Sequence, residues 1–105
     1  MTSVFTDRST PHRCDSPKFH PGQIVATPGA LNAMESCGCT AHSLLSRHLS
    51  GDWGTLPVED IALNEQALLS DGRLLSSYPV GPGTRIWIIT EWDRSVTTLL
   101  LPEEY

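Results

Sequence analysis

The chain has 105 residues, of which 39% are hydrophobic, and its 12 acidic and 7 basic side chains give a formal charge of −5. This length suffices for one hydrophobic core but not for two, and an acidic surface argues against non-specific nucleic-acid binding. No apolar run approaches the roughly 20 residues of a membrane helix, and the N-terminus lacks the apolar centre of a secretory signal. We therefore expect a cytoplasmic protein without membrane contact.

The first part of the chain differs from the rest in composition. Residues 1–21 are rich in serine, threonine, proline and charge and have no apolar period, so they predict a flexible N-terminal arm. Residues 22–105 carry the regular hydrophobic patterns of a single compact domain. Within this domain, residues 23–27 predict a short strand, which ends at Pro28-Gly29.

Two short helices are predicted next, each preceded by a threonine that can cap its N-terminus. The first spans residues 30–36, with Leu31 and Met34 facing inward. The second spans residues 41–49 and clusters three leucines and His48 on one side. A glycine follows each helix, as is common at a helix C-terminus.

The longest helix is predicted over about residues 57–70. Trp53, in the turn before it, is expected to fill an edge of the core. Asp60 and Asn64 lie one turn apart and are expected on the solvated side, with a polar site shared with Glu91 as the alternative. The apolar residues at helical spacing are expected to face the core: Val58, Ile61, Ala62, Leu68 and Leu69.

The last third of the chain has a period of two, which predicts a three-stranded antiparallel meander. Its strands are expected at residues 73–80, 85–92 and 95–101. A two-residue loop would place Thr90 opposite Thr97 and Trp87 opposite Leu100, so that Trp87 is expected in the core and Trp92 is expected to be more exposed. The fold class is therefore α+β: an N-terminal strand, two short helices and one longer helix, then the meander.

Three cysteines are an odd number, and two of them lie one residue apart, which favours reduced thiols over a disulfide. Cys37, Cys39 and His42 could supply three zinc ligands at a helix start, with His48 or Cys14 as the fourth. The usual zinc knuckle separates its cysteines by two residues, whereas this pair is separated by one. The simpler interpretation is that Cys37 packs inward and Cys39 is an exposed thiol, so we predict no metal and no other cofactor.

A second set of side chains could bind a scissile phosphate. Small metal-independent ribonucleases of the barnase, colicin and RelE kind place Arg, Ser, Thr or Tyr on an antiparallel sheet with a His or Glu nearby, and the sequence resembles that arrangement. Under this interpretation the side chains must converge on one concave sheet face. Threonine is common in any strand, and a histidine on the apolar side of a helix usually serves the core, so the preferred prediction is that none is catalytic. The candidate residues are His48, Arg73, Tyr78, Thr90, Arg94 and Thr97.

Several stretches resemble a known group of proteins. They are GQIVATPGAL at 22–31, RH at 47–48, GDWG at 51–54, RLLSSY at 73–78, IWIITE at 86–91 and LPEEY at 101–105. From His20 onward the chain is similar to short bacterial proteins carried largely on plasmids and other mobile elements, named plasmid-related protein or labelled as a restriction subunit. The resemblance implies a mobile-element setting and no particular activity.

The acidic body, the absence of common enzyme motifs and this resemblance lead to one preferred hypothesis. It is an accessory protein of a plasmid or other mobile element that acts as a non-enzymatic protein-binding module, with action against a host defence complex as one form. The partner is then a host or element-encoded protein with a basic surface. The alternative is the small metal-independent ribonuclease.

Overall fold

The structure, a computed structural model, describes residues 17–105 and confirms the α+β class. None of the helices in this part of the chain is long and apolar enough to cross a membrane. In chain order the elements are β1 (Gln23–Ala26), α1 (Pro28–Cys37), α2 (Ala41–Leu49), α3 (Val58–Ser70), β2 (Leu74–Gly81), β3 (Thr84–Thr90), β4 (Val96–Leu100) and a 3-10 turn (Pro102–Glu104).

The four strands form one mixed sheet in the order β1-β4-β3-β2. β2, β3 and β4 make the predicted antiparallel meander, and the predicted register is confirmed, with Thr90 opposite Thr97 and Trp87 opposite Leu100. The sheet is not purely antiparallel, because β1 pairs with β4 in parallel. Gly22 permits this approach, since a Cβ at that position would lie 2.4 Å from backbone atoms of the β3–β4 loop.

α1 and α2 cover one face of the sheet. Both predicted threonine caps are confirmed, since Thr27 and Thr40 each accept a hydrogen bond from a first-turn amide at 3.1 Å. Met34 is buried as predicted, but Leu31 is 52% exposed, which corrects its predicted inward position. The core between these helices and the sheet consists of Ala30, Met34, Leu44, Leu45, Tyr78, Val80, Ile86, Ile88 and Leu99.

α3 turns a different side to the core from the one predicted. Its buried residues are Asn64 and Ala67, whereas Val58, Ala62 and Leu69 are exposed, so their predicted inward positions are wrong. The solvated position predicted for Asn64 is wrong as well. The Asn64 side chain donates to Leu75 O at 2.7 Å and accepts from Leu75 N at 3.0 Å. This amide satisfies the edge of β2 as a neighbouring strand would, and leaving both backbone groups of Leu75 unpaired would cost more than exposing a leucine.

The turn before α3 covers the next part of the same edge. Ser77 N donates to Trp53 O at 3.0 Å, and Thr55 N donates to Ser77 O at 2.8 Å. Gly54, with φ of 78°, brings the two backbones together, because a Cβ there would lie 2.1 Å from the Ser77 carbonyl oxygen. The Trp53 side chain is 3% exposed, which confirms its predicted place in the core.

Residues 17–21 belong to the predicted arm, yet the structure places them against the body. Lys18 N donates to Leu49 O at 2.8 Å, and the Phe19 ring stacks on Trp53 with centroids 6.4 Å apart. The predicted boundary at residue 22 is therefore too late. Residues 1–16 of the predicted arm lie outside the described residues.

Trp87 is half-buried on the sheet face opposite α1 and α2, which corrects its predicted place in the core. The reason is alternation along β3, because Ile86 and Ile88 take the helix-covered side. Tyr105 packs against the Trp87 ring with centroids 5.8 Å apart. Trp92 is 63% exposed, in agreement with the prediction.

These positions predict a ranking of three tryptophan variants in urea unfolding. Trp53→Ala should lower the free energy of unfolding by about 3–5 kcal/mol, because it leaves a cavity beside Phe19 and His48. Trp92→Ala, the exposed control, should cost less than about 1 kcal/mol, and Trp87→Ala should fall between the two. A Trp87 variant less stable than the Trp53 variant would contradict this assignment of the core.

Candidate functional site

The centre of the fold holds a group of mutually contacting polar side chains, which we call the His48 network. α2 supplies the histidine because the helical period that buries Leu44 and Leu45 also turns residue 48 inward. The strands supply hydroxyls from neighbouring positions of one sheet face. The members, each 0% exposed, are His48, Ser76, Thr90 and Thr97.

The hydrogen bonds of this network have one consistent direction. A carbonyl can only accept, so the Thr97 hydroxyl donates to Pro21 O at 2.7 Å. Since that uses its single proton, Thr97 accepts from the Thr90 hydroxyl, also at 2.7 Å. Thr90 in turn accepts from Nε2–H of His48 at 2.9 Å, and Nδ1 accepts from the Ser76 hydroxyl at 2.5 Å. The imidazole is therefore the neutral Nε2–H tautomer.

The surroundings of His48 keep it uncharged. Burial, with a smaller contribution from the positive charge of Arg94, lowers the pKa of His48 to about 3. The rings of Phe19 and Trp53 contact the imidazole edge-on, with centroid distances of 5.2 and 5.7 Å. A general base must reach the proton that it removes from a substrate, and this imidazole has both nitrogens engaged inside the protein. In this arrangement the histidine joins α2 to β2 and β3.

Tyr78, another residue of the ribonuclease interpretation, shares the helix-covered face with the His48 network and is 0% exposed. Its hydroxyl donates to Asp52 O at 2.5 Å, and the Arg47 guanidinium lies 4.4 Å from the ring centroid. Arg47 also forms an ion pair with Asp52, with 2.8 Å between Nε and Oδ2. Burial raises the pKa of the Tyr78 phenol, so this group is a protonated donor that holds the turn after α2.

The two arginines of that interpretation make no hydrogen bond to Thr90 or Thr97 in the described part of the chain and are bound to other groups. Arg94 donates to Gly72 O at 2.6 Å and Ala67 O at 3.0 Å, so it binds carbonyls at the end of α3. Arg73 is exposed, and both terminal nitrogens donate to the Tyr105 hydroxyl. The structure therefore brings His48, Thr90 and Thr97 together but places no free cation beside them within the described residues.

The cysteine cluster does not assemble a metal site in the described part of the chain. Residues 17–105 contain no group of three side chains placed to hold a metal ion, so Cys37, Cys39 and His42 do not form one together. Both thiols are free, and a hydrogen bond with Cys37, more than burial, raises the pKa of Cys39. Cys37 is exposed and Cys39 is half-buried, the reverse of the predicted placement. The candidate fourth ligand Cys14 lies outside the described residues.

One surface feature was missed by the sequence analysis. Because Asn64 faces the core, the opposite side of α3 carries large apolar side chains into solvent. Val58, Leu63 and Leu69 are 71%, 62% and 91% exposed. We call this surface the outer face of α3, and its residues are Val58, Ala62, Leu63 and Leu69. Apolar residues occur all around this helix, so the helical period could not distinguish the two sides.

Comparison with family models, with curated proteins and with solved structures gave no significant match to this chain. The resemblance to mobile-element proteins therefore stays a prediction. The distinctive side-chain groups of this structure are the His48 network and the outer face of α3.

The network predicts the protonation of His48 in solution. At neutral pH, long-range 1H–15N spectra should show His48 as the Nε2–H tautomer, because Nδ1 accepts from Ser76. His20, which is exposed, serves as the internal comparison in the same spectra. A protonated Nδ1 signal from His48 would contradict the hydrogen-bond directions given above.

Stability should depend on pH through the same residue. The folded pKa of His48 is about 3, below the usual 6.5, so only the unfolded chain gains a proton as the pH falls between these values. Its contribution to stability is complete above pH 6.5 and is lost below it by up to about 1.4 kcal/mol per pH unit. Urea unfolding between pH 7 and 5 measures this slope, and His48→Gln should reduce it although the variant is less stable at pH 7. Equal slopes in the two proteins would refute the assignment.

Proposed function

We propose that this chain is an accessory protein of a plasmid or other mobile element and acts as a non-enzymatic protein-binding module. The observation that carries the proposal is the outer face of α3, where three large apolar side chains of one helix are exposed. Scattered apolar side chains are ordinary on a protein surface, but several on one helix face are typical of a binding site.

The use of the polar side chains supports a binding role over catalysis. His48 is neutral and enclosed, and Tyr78 is buried as a hydrogen-bond donor to a turn. Arg94 donates to backbone carbonyls at the end of α3. These groups hold the fold together, and a substrate would have to displace α1 or α2 to reach His48 or Tyr78. The ribonuclease interpretation stays a prediction that this geometry does not favour.

The charge of the chain supports a partner with a basic surface. The formal charge is −5, and acidic proteins associate faster and more selectively with basic partners. In the setting implied by the resemblance, such a partner is a host or element-encoded protein, for example the nucleic-acid groove of a defence complex.

Affinity capture from a bacterial lysate at low salt tests this function with three versions of the full chain. The wild-type protein should retain a partner in stoichiometric amount, and Leu69→Ser should lose it. Leu69 is almost fully exposed, so its substitution should weaken binding without weakening the core. Leu31→Ser removes an exposed leucine from α1 and is the matched control, which should retain the partner. The proposal fails if no partner is retained, if all three proteins retain the same set, or if wild-type protein cleaves RNA and His48→Gln does not.

A further inference from the structure

The exposed apolar side chains of α3 form a stripe. Val58, Ala62 and Leu69 are separated by four and seven residues, so they lie on one line along the helix, and Leu63 lies about 100° further around it, beyond Glu59. From residue 58 to residue 69 the stripe extends about 16 Å at the usual helical rise. Three turns of a second helix would cover that length.

Carboxylates lie on both sides of the stripe. Glu59 flanks it beside Leu63, and Glu65 flanks it on the side of Trp53. The Trp53 indole donates to Glu65 Oε2 at 2.8 Å, which holds this carboxylate in place before any partner arrives. α3 contains a third acidic residue, Asp60, and no lysine or arginine. The surface therefore combines apolar contact with negative charge that has no counterpart on the same helix.

We infer that the outer face of α3 binds a basic amphipathic helix of a partner protein, with the apolar residues of that helix on the stripe and its lysines or arginines beside Glu59 and Glu65. The inference rests on the proposed function and specifies its partner. Apolar residues at helical spacing are the usual receptor for an amphipathic helix, and flanking charges of opposite sign set the choice of partner.

A second copy of this chain fits the surface less well. Packing α3 against another α3 would bring three carboxylates from each copy together, without a basic side chain on either helix to offset their repulsion. An anionic lipid surface meets the same repulsion. The negative charge of α3 thus favours a basic helix over a second copy of the chain or an anionic lipid surface.

The test uses the 15N-labelled full chain and two synthetic amphipathic peptides of roughly 18 residues, long enough to form a helix. The peptides share the same leucine face and carry either lysines or glutamates on the other side. The lysine peptide should shift the amide signals of α3 and bind more weakly as salt is raised, because the flanking charges are exposed. Leu69→Ser should weaken this binding about tenfold, since it removes a leucine contact. Glu59→Gln should weaken it by about twofold to fivefold.

Matched controls come from residues outside α3. Leu31→Ser and Glu103→Gln change an exposed leucine and an exposed glutamate away from α3, and both should leave the affinity for the lysine peptide unchanged. All four substituted side chains are exposed, so the variants should remain folded, which their amide spectra check directly.

Other results would overturn the inference. They are equal binding of the two peptides, shifts away from α3, affinity that does not respond to Leu69→Ser, self-association through α3, and binding of phosphatidylcholine vesicles through α3. If the lysine peptide does not bind but Leu69→Ser still abolishes capture of the lysate partner, the binding function stands and only the inference of a basic helical partner is wrong. If that partner is also absent, the proposed function fails with it.

Discussion

The hydrogen bonds that run from the Pro21 carbonyl through Thr97, Thr90 and His48 to Ser76 constrain most of this fold. They connect the segment before β1 with α2 and with the three strands of the meander. Each hydroxyl has one proton, so the network is complete only with a neutral imidazole in one tautomer. Burying these groups without their partners would cost several kcal/mol in total, and the elements must therefore meet in this arrangement.

A second polar constraint sets the position of α3. Leu75 and Ser77 present their backbone groups at the open edge of β2, and the Asn64 amide and the turn around Gly54 satisfy them. An unpaired buried amide costs about 1–3 kcal/mol, comparable to the gain from burying one leucine side chain. Asn64 satisfies two such groups at once, so its side of the helix faces the sheet. Leu69 is exposed as a direct consequence.

The sequence was sufficient wherever local rules decide the structure. The threonine caps, the inward side of α2 and the register that pairs Thr90 with Thr97 all follow from spacing within about ten residues. The parallel pairing of β1 with β4 joins segments far apart in the chain, and no local pattern encodes it. For the candidate site, the inward position of His48 was predictable, but its bond to Ser76 depends on how α2 crosses the sheet. On α3, a stripe for the core and one for a partner have the same period, and only the role of Asn64 separates them.

Three of the arginines make hydrogen bonds or an ion pair within the fold. Arg47 is paired with Asp52, Arg85 donates to Ser77 and Thr55, and Arg94 donates to carbonyls at the end of α3. These guanidiniums are engaged by groups of their own fold, and the formal charge of −5 leaves carboxylates in excess on the chain. Arg94, one of the two arginines that phosphate chemistry would have needed, is held by carbonyls at the end of α3, while α3 itself carries three carboxylates and no basic side chain beside its apolar stripe.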